Sequence, residues 1–452
     1  MGHFATRRAL HKLLIALSLS QDYLYAQRWR AMKFVILLIL LSLSACGGGG
    51  GSDTAQGTAP RISNLLLSPN TVYYMDGDGA TQISAQVDFT DPDMDITTAY
   101  IQLADGSTTT IPVPAMNLAS GTLLGELIVA TTQLGVFTSE VWLVDAAGHT
   151  SNHLSVDLSV VVDVTTWLNR TPANLTTGLN DVIWSGSLFV AVGDVGKIVT
   201  SPDGITWTSR TSGTTQRLHG VYWDGSRFLA VGDGATILSS ANGTSWSTLH
   251  TGAAEAWLQA VSYSGTRYVA AGSLSSAAYM LTSVDGVTWT ENLTLPQSGR
   301  SVSGLAWSGQ LFVASAMAEA FPNEAAVLVS QDGLTWLEVL VSVDSPTTLC
   351  VMWDGSRFIA GGIGGRLFFS PDGMNWTEVA TPSSSNFLAL AWSGSTLVAD
   401  GVVGNAVATS DNGATWQAFN VAGLYDTKGL AYGANRFVSV GGGESGIIYS
   451  TR

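Results

Sequence analysis

Cysteine is nearly absent: the 452-residue chain has two, Cys46 and Cys350. A disulfide framework is excluded, and so is a cysteine-rich metal site. Charge is scarce too, at 12% of residues, and positive charge scarcest, with 19 Lys and Arg against 34 Asp and Glu. Six of those bases precede Cys46, so from Gly47 onward 33 acidic residues face 13 basic ones, a net charge of −20. A nucleic-acid partner needs basic patches to meet phosphate, and this chain has none to offer. Histidines number six; no His/Cys cluster has metal-ligand spacing, and no Gly-rich loop opens a helix to hold phosphate. The apolar run Phe34 to Leu41 is too short to span a bilayer, which takes about twenty residues.

Glycine, with 50 residues, and a repeat are what the chain has in abundance. SPDGITW (Ser201 to Trp207) recurs as SANGTSW (Ser240 to Trp246), SVDGVTW (Ser283 to Trp289), SQDGLTW (Ser330 to Trp336), SPDGMNW (Ser370 to Trp376) and SDNGATW (Ser410 to Trp416). Asp-Gly or Asn-Gly between extended runs predicts a tight turn, because Gly and Asn tolerate positive φ. The Ser and Asp side chains can bond backbone N–H groups across it. The Trp offers an apolar plate that one hairpin cannot bury alone, so units must pack side by side. A second motif, such as VIWSGSLFVAVG from Val182 or VYWDGSRFLAVG from Val221, occurs seven times. Spacing near forty residues fits a four-stranded propeller blade. The last unit stops at IIYSTR, where Ser450 begins an unfinished turn motif, and the missing strand stands at VTTWLNRT around Trp167. The expectation is an all-β chain whose residues 164–452 form a seven-bladed β-propeller closed by the Trp167 strand.

These motifs resemble the Asp box, the bacterial neuraminidase repeat of sialidases, sortilin-type receptors and Ycf48-type photosystem II assembly factors. The family motif is usually one residue longer, and Asn242 and Asn412 stand where it has Asp. The resemblance implies a structural role for Asp203, Trp207, Asn242, Trp246, Asp285, Trp289, Asp332, Trp336, Asp372, Trp376, Asn412 and Trp416. It also puts function on the face opposite the boxes.

Met32 to Cys46 resembles a bacterial lipoprotein signal: Lys33, an apolar core, then Leu43-Ser44-Ala45-Cys46. Residues 1–46 are read as this signal region with a start at Met32. Cys46 is the lipidated residue, and 47–59 form a Gly-rich tether. Gly47 points to the outer membrane. Residues 60–163 carry short alternating runs in place of the repeat and are read as an Ig-like β-sandwich. Asp88, Asp91, Asp93 and Asp95 there suit Ca²⁺, though turn chemistry explains aspartates between strands equally well. Cys350 reads as a small buried hydrophobe.

Trp257 is the one tryptophan of the repeat region that neither motif explains. It stacks on a ligand or packs onto its own blade. Arg217, His219, Glu255, Arg300, Asp426 and Lys428 lie in loops of the same expected face. Arg227, Arg267, Arg357 and Arg436 recur at one repeat position and read as structural. The remaining Arg170, Arg210, Arg217, Arg300 and Arg366 are too scattered to name the arginine trio of a sialidase. Glu255, Glu319, Glu324, Asp344, Asp426 and Glu444 are the carboxylates open to a glycosidase pair. Three readings follow: a lipid-anchored envelope protein binding a protein or glycan without catalysis, a sialidase-like carbohydrate-active enzyme, or a Ycf48-like assembly factor. No cofactor beyond the calcium ion is expected.

Overall fold

The computed structural model describes residues 42–44 and 57–452, apart from the short stretches 75–79, 115–117, 131–132, 293–299, 319–323, 343–346, 403–404, 410–412, 414 and 444. Met32, Cys46 and most of the tether, on which the lipoprotein reading rests, lie outside the described residues, as does Asn412. The described chain is all β, with two short 3₁₀ turns at Asp194–Gly196 and Ile363–Gly365. No described helix is long and apolar enough to cross a membrane. Contacts divide it into two compact units, one ending at Val161 and one from Val162 to Arg452.

The first unit has two sheets. One orders Ser42–Ser44, Ser120–Ala130, Ala80–Thr90 and Arg61–Ser68; the other orders Thr71–Tyr73, Leu154–Val161, Gly135–Asp145, Ile96–Gln102 and Thr108–Pro112. Alternation of apolar and polar residues gives each sheet one buried face. Ile83, Leu127 and Val129 from the first sheet share a core with Ile101, Val141, Leu158 and Val160 from the second.

The second unit contains seven four-stranded antiparallel sheets, numbered I to VII from the one that starts at Leu179. In sheet I, Leu179–Trp184, Phe189–Gly193, Ile198–Ser201 and Thr208–Arg210 pair in chain order. Sheet VII joins Thr427–Gly433, Arg436–Gly441 and Ile447–Thr451 to Trp167–Asn169, where Trp167 pairs with Thr451 across nearly the whole unit. First strands of successive sheets touch, and Leu179–Trp184 also touches Thr427–Gly433. Second strands such as FVAVG (Phe189–Gly193) are buried throughout, which is why they read as unbroken apolar runs.

The repeated turns have one geometry. Ser201 Oγ accepts the Gly204 N–H at 2.8 Å, while Asp203 Oδ1 accepts those of Ile205 and Thr206 at 2.8 and 2.9 Å. Gly204 sits at φ +72°, a region closed to side chains without strain. Asn242 makes the same two bonds through Oδ1, to Thr244 at 2.9 Å and Ser245 at 3.0 Å, so one oxygen suffices and Asp or Asn serves. The closing Trp stacks in a three-ring run: Trp184 lies 4.4 Å from Phe189, and Phe189 6.1 Å from Trp207. Trp207 also shares its core with Val438 and Val440 of sheet VII, so it fastens its own sheet to the preceding one.

The chain ends need one correction. The turn serine faces the first aromatic residue of the second strand, as Ser201 faces Phe189. In sheet VII the residue bonded to Phe437 is Thr451, whose Oγ1 accepts the Phe437 N–H at 2.9 Å, so Ser450 is one residue short of that position. Asp163 supplies the other half: its Oδ1 accepts the Thr165 N–H at 2.9 Å, and Trp167 Nε1 donates to Val164 O at 2.9 Å, as Trp246 Nε1 does to Gly243 O at 3.0 Å. The split turn thus begins at Asp163, inside the second unit.

Two carboxylates depart from the repeat at one rung. Where sheet II pairs Gly220 with Val231, sheet I pairs Asp181 with Val192 and sheet VI pairs Ala389 with Asp400. Asp181 accepts the N–H of Val221 in sheet II at 2.8 Å, tying the two first strands together. Part of its surface still meets solvent, yet the protein packed around it pushes its carboxyl up to about 7. Asp400 is wholly buried, accepting from Ser439 at 3.2 Å, and burial pushes it up to about 6. Folded Asp400 therefore keeps a proton that the unfolded chain releases near 3.8. Its contribution to stability falls as pH rises from about 4 to 6, by about 3 kcal/mol, then levels. Urea midpoints measured between pH 4 and 8 should show this decline together with that of Asp181, and Asp400→Asn should make it shallower and raise stability at pH 8. A midpoint independent of pH in both proteins would refute the account.

Candidate functional site

In each sheet the turns between first and second strands and the Ser-x-Asp-Gly turns share one edge. The second-to-third turns and the connections between sheets share the other, where each first strand begins. The recurrent arginines belong to the former. Arg227 pairs with Asp224 at 3.1 Å and donates to Asp285 O of sheet III at 2.6 Å. A side chain on Gly204 of sheet I would run into Arg436 of sheet VII. These arginines latch each sheet to the next, as their periodicity implied.

On the opposite edge, residues from distant sequence positions form two polar clusters, linked by the backbone bond from Asp233 N to Arg217 O at 2.9 Å. Arg217 Nε meets Asp194 Oδ1 at 2.8 Å. Asp194 Oδ1 also accepts from Asn180 Nδ2 at 2.9 Å, and Asn180 Oδ1 accepts from Lys428 Nζ at 3.4 Å, with Asp426 3.7 Å from that ammonium. His219 Nε2 lies 2.6 Å from Asp233 Oδ1. Asp233 forms an isolated antiparallel bridge with Trp257, which sets their side chains beside one another on one face. Trp257 is 50% exposed, so half of its surface stands free on this edge. Tyr425, next to Asp426, is 49% exposed. Arg217, His219, Trp257, Asp426 and Lys428 are thus joined through Asn180, Asp194 and Asp233, which sequence reasoning did not select. Their signal was faint: Asp194 and Asp233 each follow a VAVG or LAVG strand, the first residue of a second-to-third turn. Glu255 is exposed two residues before Trp257.

Arg300 does not join this group. It is 5% exposed, pairs with Glu338 at 2.9 Å, and donates to Glu324 O at 3.0 Å within sheet IV. Its position at the start of a first strand suggested the open face, but its side chain turns outward along the sheet. Arg170 bonds Ser450, Arg210 bonds Thr200 and Arg366 pairs with Glu378, so these arginines are spread over separate sheets and do not converge with Arg217. Glu319, Asp344 and Glu444 lie outside the described residues. Strands Phe312–Ala318 and Ala325–Ser330 of sheet IV flank residues 319–323, which lie outside the described residues.

The turn that presents Asp194 is strained. Val195 stands at φ +55°, an outlier for a β-branched residue, and is largely exposed. Beside it a polar cleft of about 790 Å³ opens between the loops of sheets I and II, lined by Lys197, Arg210, Thr214, Gln216 and Thr248 among others.

Burial lowers the His219 imidazole below its ordinary value of 6.5, against the upward pull of Asp233. At neutral pH the ring is uncharged, donating Nε2–H to Asp233 and leaving Nδ1 as an acceptor. An NMR titration should find His219 below 6.5, and lower still in Asp233→Asn, which removes the raising influence. A value unchanged by that substitution would contradict the pairing.

No family model matches the sequence, and no curated protein does. Solved structures are similar. YCF48 bound to a D1 peptide matches at TM-score 0.50 and 20% identity, over 64% of this chain and 96% of that one. YCF48 from Cyanidioschyzon merolae matches at TM-score 0.50 and 16% identity, over 63% and 98%. The WD40 β-propeller domain of Doa1 matches at TM-score 0.50 and 13% identity, over 64% and 97%. At such identities the likeness establishes the fold alone: the chain carries a β-propeller.

Proposed function

We propose that the propeller is a non-enzymatic module that holds an extended segment of a protein partner on the face around Trp257, in the manner of an assembly factor. The carrying observation is the exposed Trp257 beside Asp233, which pairs with His219 and is tied through its backbone to the cluster of Arg217, Asp194, Asn180 and Lys428. A large exposed aromatic ringed by fixed polar groups suits an anchor residue in an interface. One structural neighbour, YCF48, is named as bound to a peptide, which favours a protein partner over a glycan. The spread of the arginines over separate sheets weighs against a sialidase-like site, which gathers three on one carboxylate.

The finer architecture belongs to the same reading. Seven sheets, contact between the first strands of sheets I and VII, and the pairing of Trp167–Asn169 with Ile447–Thr451 support a closed seven-bladed ring of Asp-box type. Two facing sheets support an Ig-like module before it. Cleavage before Cys46 and lipidation of that residue rest on the sequence LSAC, and placement at the outer membrane rests on Gly47 after it. Such cleavage would also remove Ser42–Ser44 from the edge of its sheet, where it pairs with Thr122–Leu124.

An array of extended peptides should show binding to the full chain that Trp257→Ala weakens at least about tenfold. Because Trp257 is half exposed, that substitution should cost under about 1 kcal/mol of folding stability. Glycoside turnover abolished by a single change at Asp233 or Glu255 would overturn the proposal in favour of an enzyme.

A further inference from the structure

The stretch Asp91-Pro92-Asp93-Met94-Asp95 carries the chain from strand Ala80–Thr90 of one sheet to strand Ile96–Gln102 of the other. Asp91 is fully buried, and its Oδ2 accepts the N–H groups of Asp95 at 2.7 Å and Ile96 at 3.1 Å. Its Oδ1 is closed off from solvent and accepts nothing; the same holds for Oδ1 of Asp93 and Oδ1 of Asp95. Asp145, 3% exposed, approaches from the neighbouring strand, where it pairs with Ile96, and Ala146 N donates to Asp95 O at 3.0 Å. His149 addresses Asp145 twice, its backbone N–H donating to Oδ1 at 2.8 Å and its Nδ1 lying 2.9 Å from Oδ2. Asp93 Oδ2 accepts the N–H of Thr58.

Three orphaned, buried carboxylate oxygens within five residues are costly, since each has left water without gaining a donor. Either a proton or a metal cation must answer the charge. We propose that Asp91, Asp93 and Asp95 form a Ca²⁺ site that clamps the crossing between the two sheets. The donors are all hard oxygens at alternate positions of a short loop, with no nitrogen or sulfur ligand among them, which suits Ca²⁺ over a transition metal. Among the described residues no three such groups stand at metal-holding positions without movement, so binding requires the loop oxygens to close on the ion. Asp88 takes no part: Asn64 and Thr122 occupy its oxygens at 2.9 and 2.6 Å. Asp145 adds charge beside the loop, but its oxygens are likewise taken, Oδ1 by the His149 N–H at 2.8 Å and Oδ2 by His149 Nδ1 at 2.9 Å, so the ligands are the three loop aspartates.

Full-length protein stripped with chelator and titrated calorimetrically with CaCl₂ should bind one equivalent. The unfolding transition of the N-terminal unit should then rise by about 5 °C or more at millimolar Ca²⁺. Asp93→Asn, at a half-buried position that can still fold, should lower the affinity at least tenfold, while Asp88→Asn leaves it unchanged. Mg²⁺ at equal concentration should compete poorly. No uptake at millimolar Ca²⁺ would overturn the proposal, as would uptake indifferent to both Asp93→Asn and Asp95→Asn. Stabilisation by acid without any response to Ca²⁺ would assign the relief to a proton on Asp95 and equally overturn it.

Discussion

The propeller depends on tryptophans that no single sheet can bury. Trp207 touches Phe189 in its own sheet and Val438 and Val440 in the sheet before it, and Trp336 lies with Phe312 of its own sheet and with Val269 and Met280 of sheet III. Truncating a core Trp costs about 3–5 kcal/mol, comparable to a large part of a domain's net stability. Each sheet is therefore held by its neighbours. The Gly-centred turn exists to aim the ring: the Trp376 indole donates to Gly373 O at 3.0 Å, and the same bond recurs from Trp416 to Gly413 O at 3.0 Å.

This interaction explains why the fold was readable. The turn demands positive φ at one Gly and one side-chain oxygen two residues after the Ser, and both requirements print directly as a motif. It tolerates Asn242 because a single oxygen accepts both N–H groups. The split turn was only half legible. Asp163 has Val164 in place of Gly after it, and Thr451 replaces the Ser, so neither end matches the motif, although Asp163 keeps its bond to the N–H two residues on.

The candidate site was legible where it broke the pattern and obscure where it followed it. Trp257 stood out because both recurrent Trp positions were already accounted for elsewhere. Asp194 and Asp233 escaped because a polar residue after a buried strand is what any turn contains; only the pairings with Arg217 and His219 give them meaning. Arg300 misled in the opposite direction. Its place in sequence matched the loops of the open edge, but a long side chain at a strand start can turn along its own sheet, and here Glu338 takes it. Asp181 and Asp400 were invisible, because one carboxylate among small and apolar residues at a rung has no motif.

The distribution of acids follows from the same division of labour between faces. The turn face consumes its carboxylates in backbone bonds: Asp285 and Asp372 lie well below the usual carboxylate range because two N–H groups each address one oxygen. That face is chemically saturated, and substitution there mainly loosens sheets. On the other edge the carboxylates pair with Arg217, Lys428 and a neutral His219, groups that a ligand can displace or join without breaking a turn. Variation confined to that edge leaves the Trp packing untouched, so the repeat can stay fixed while the residues of this edge change.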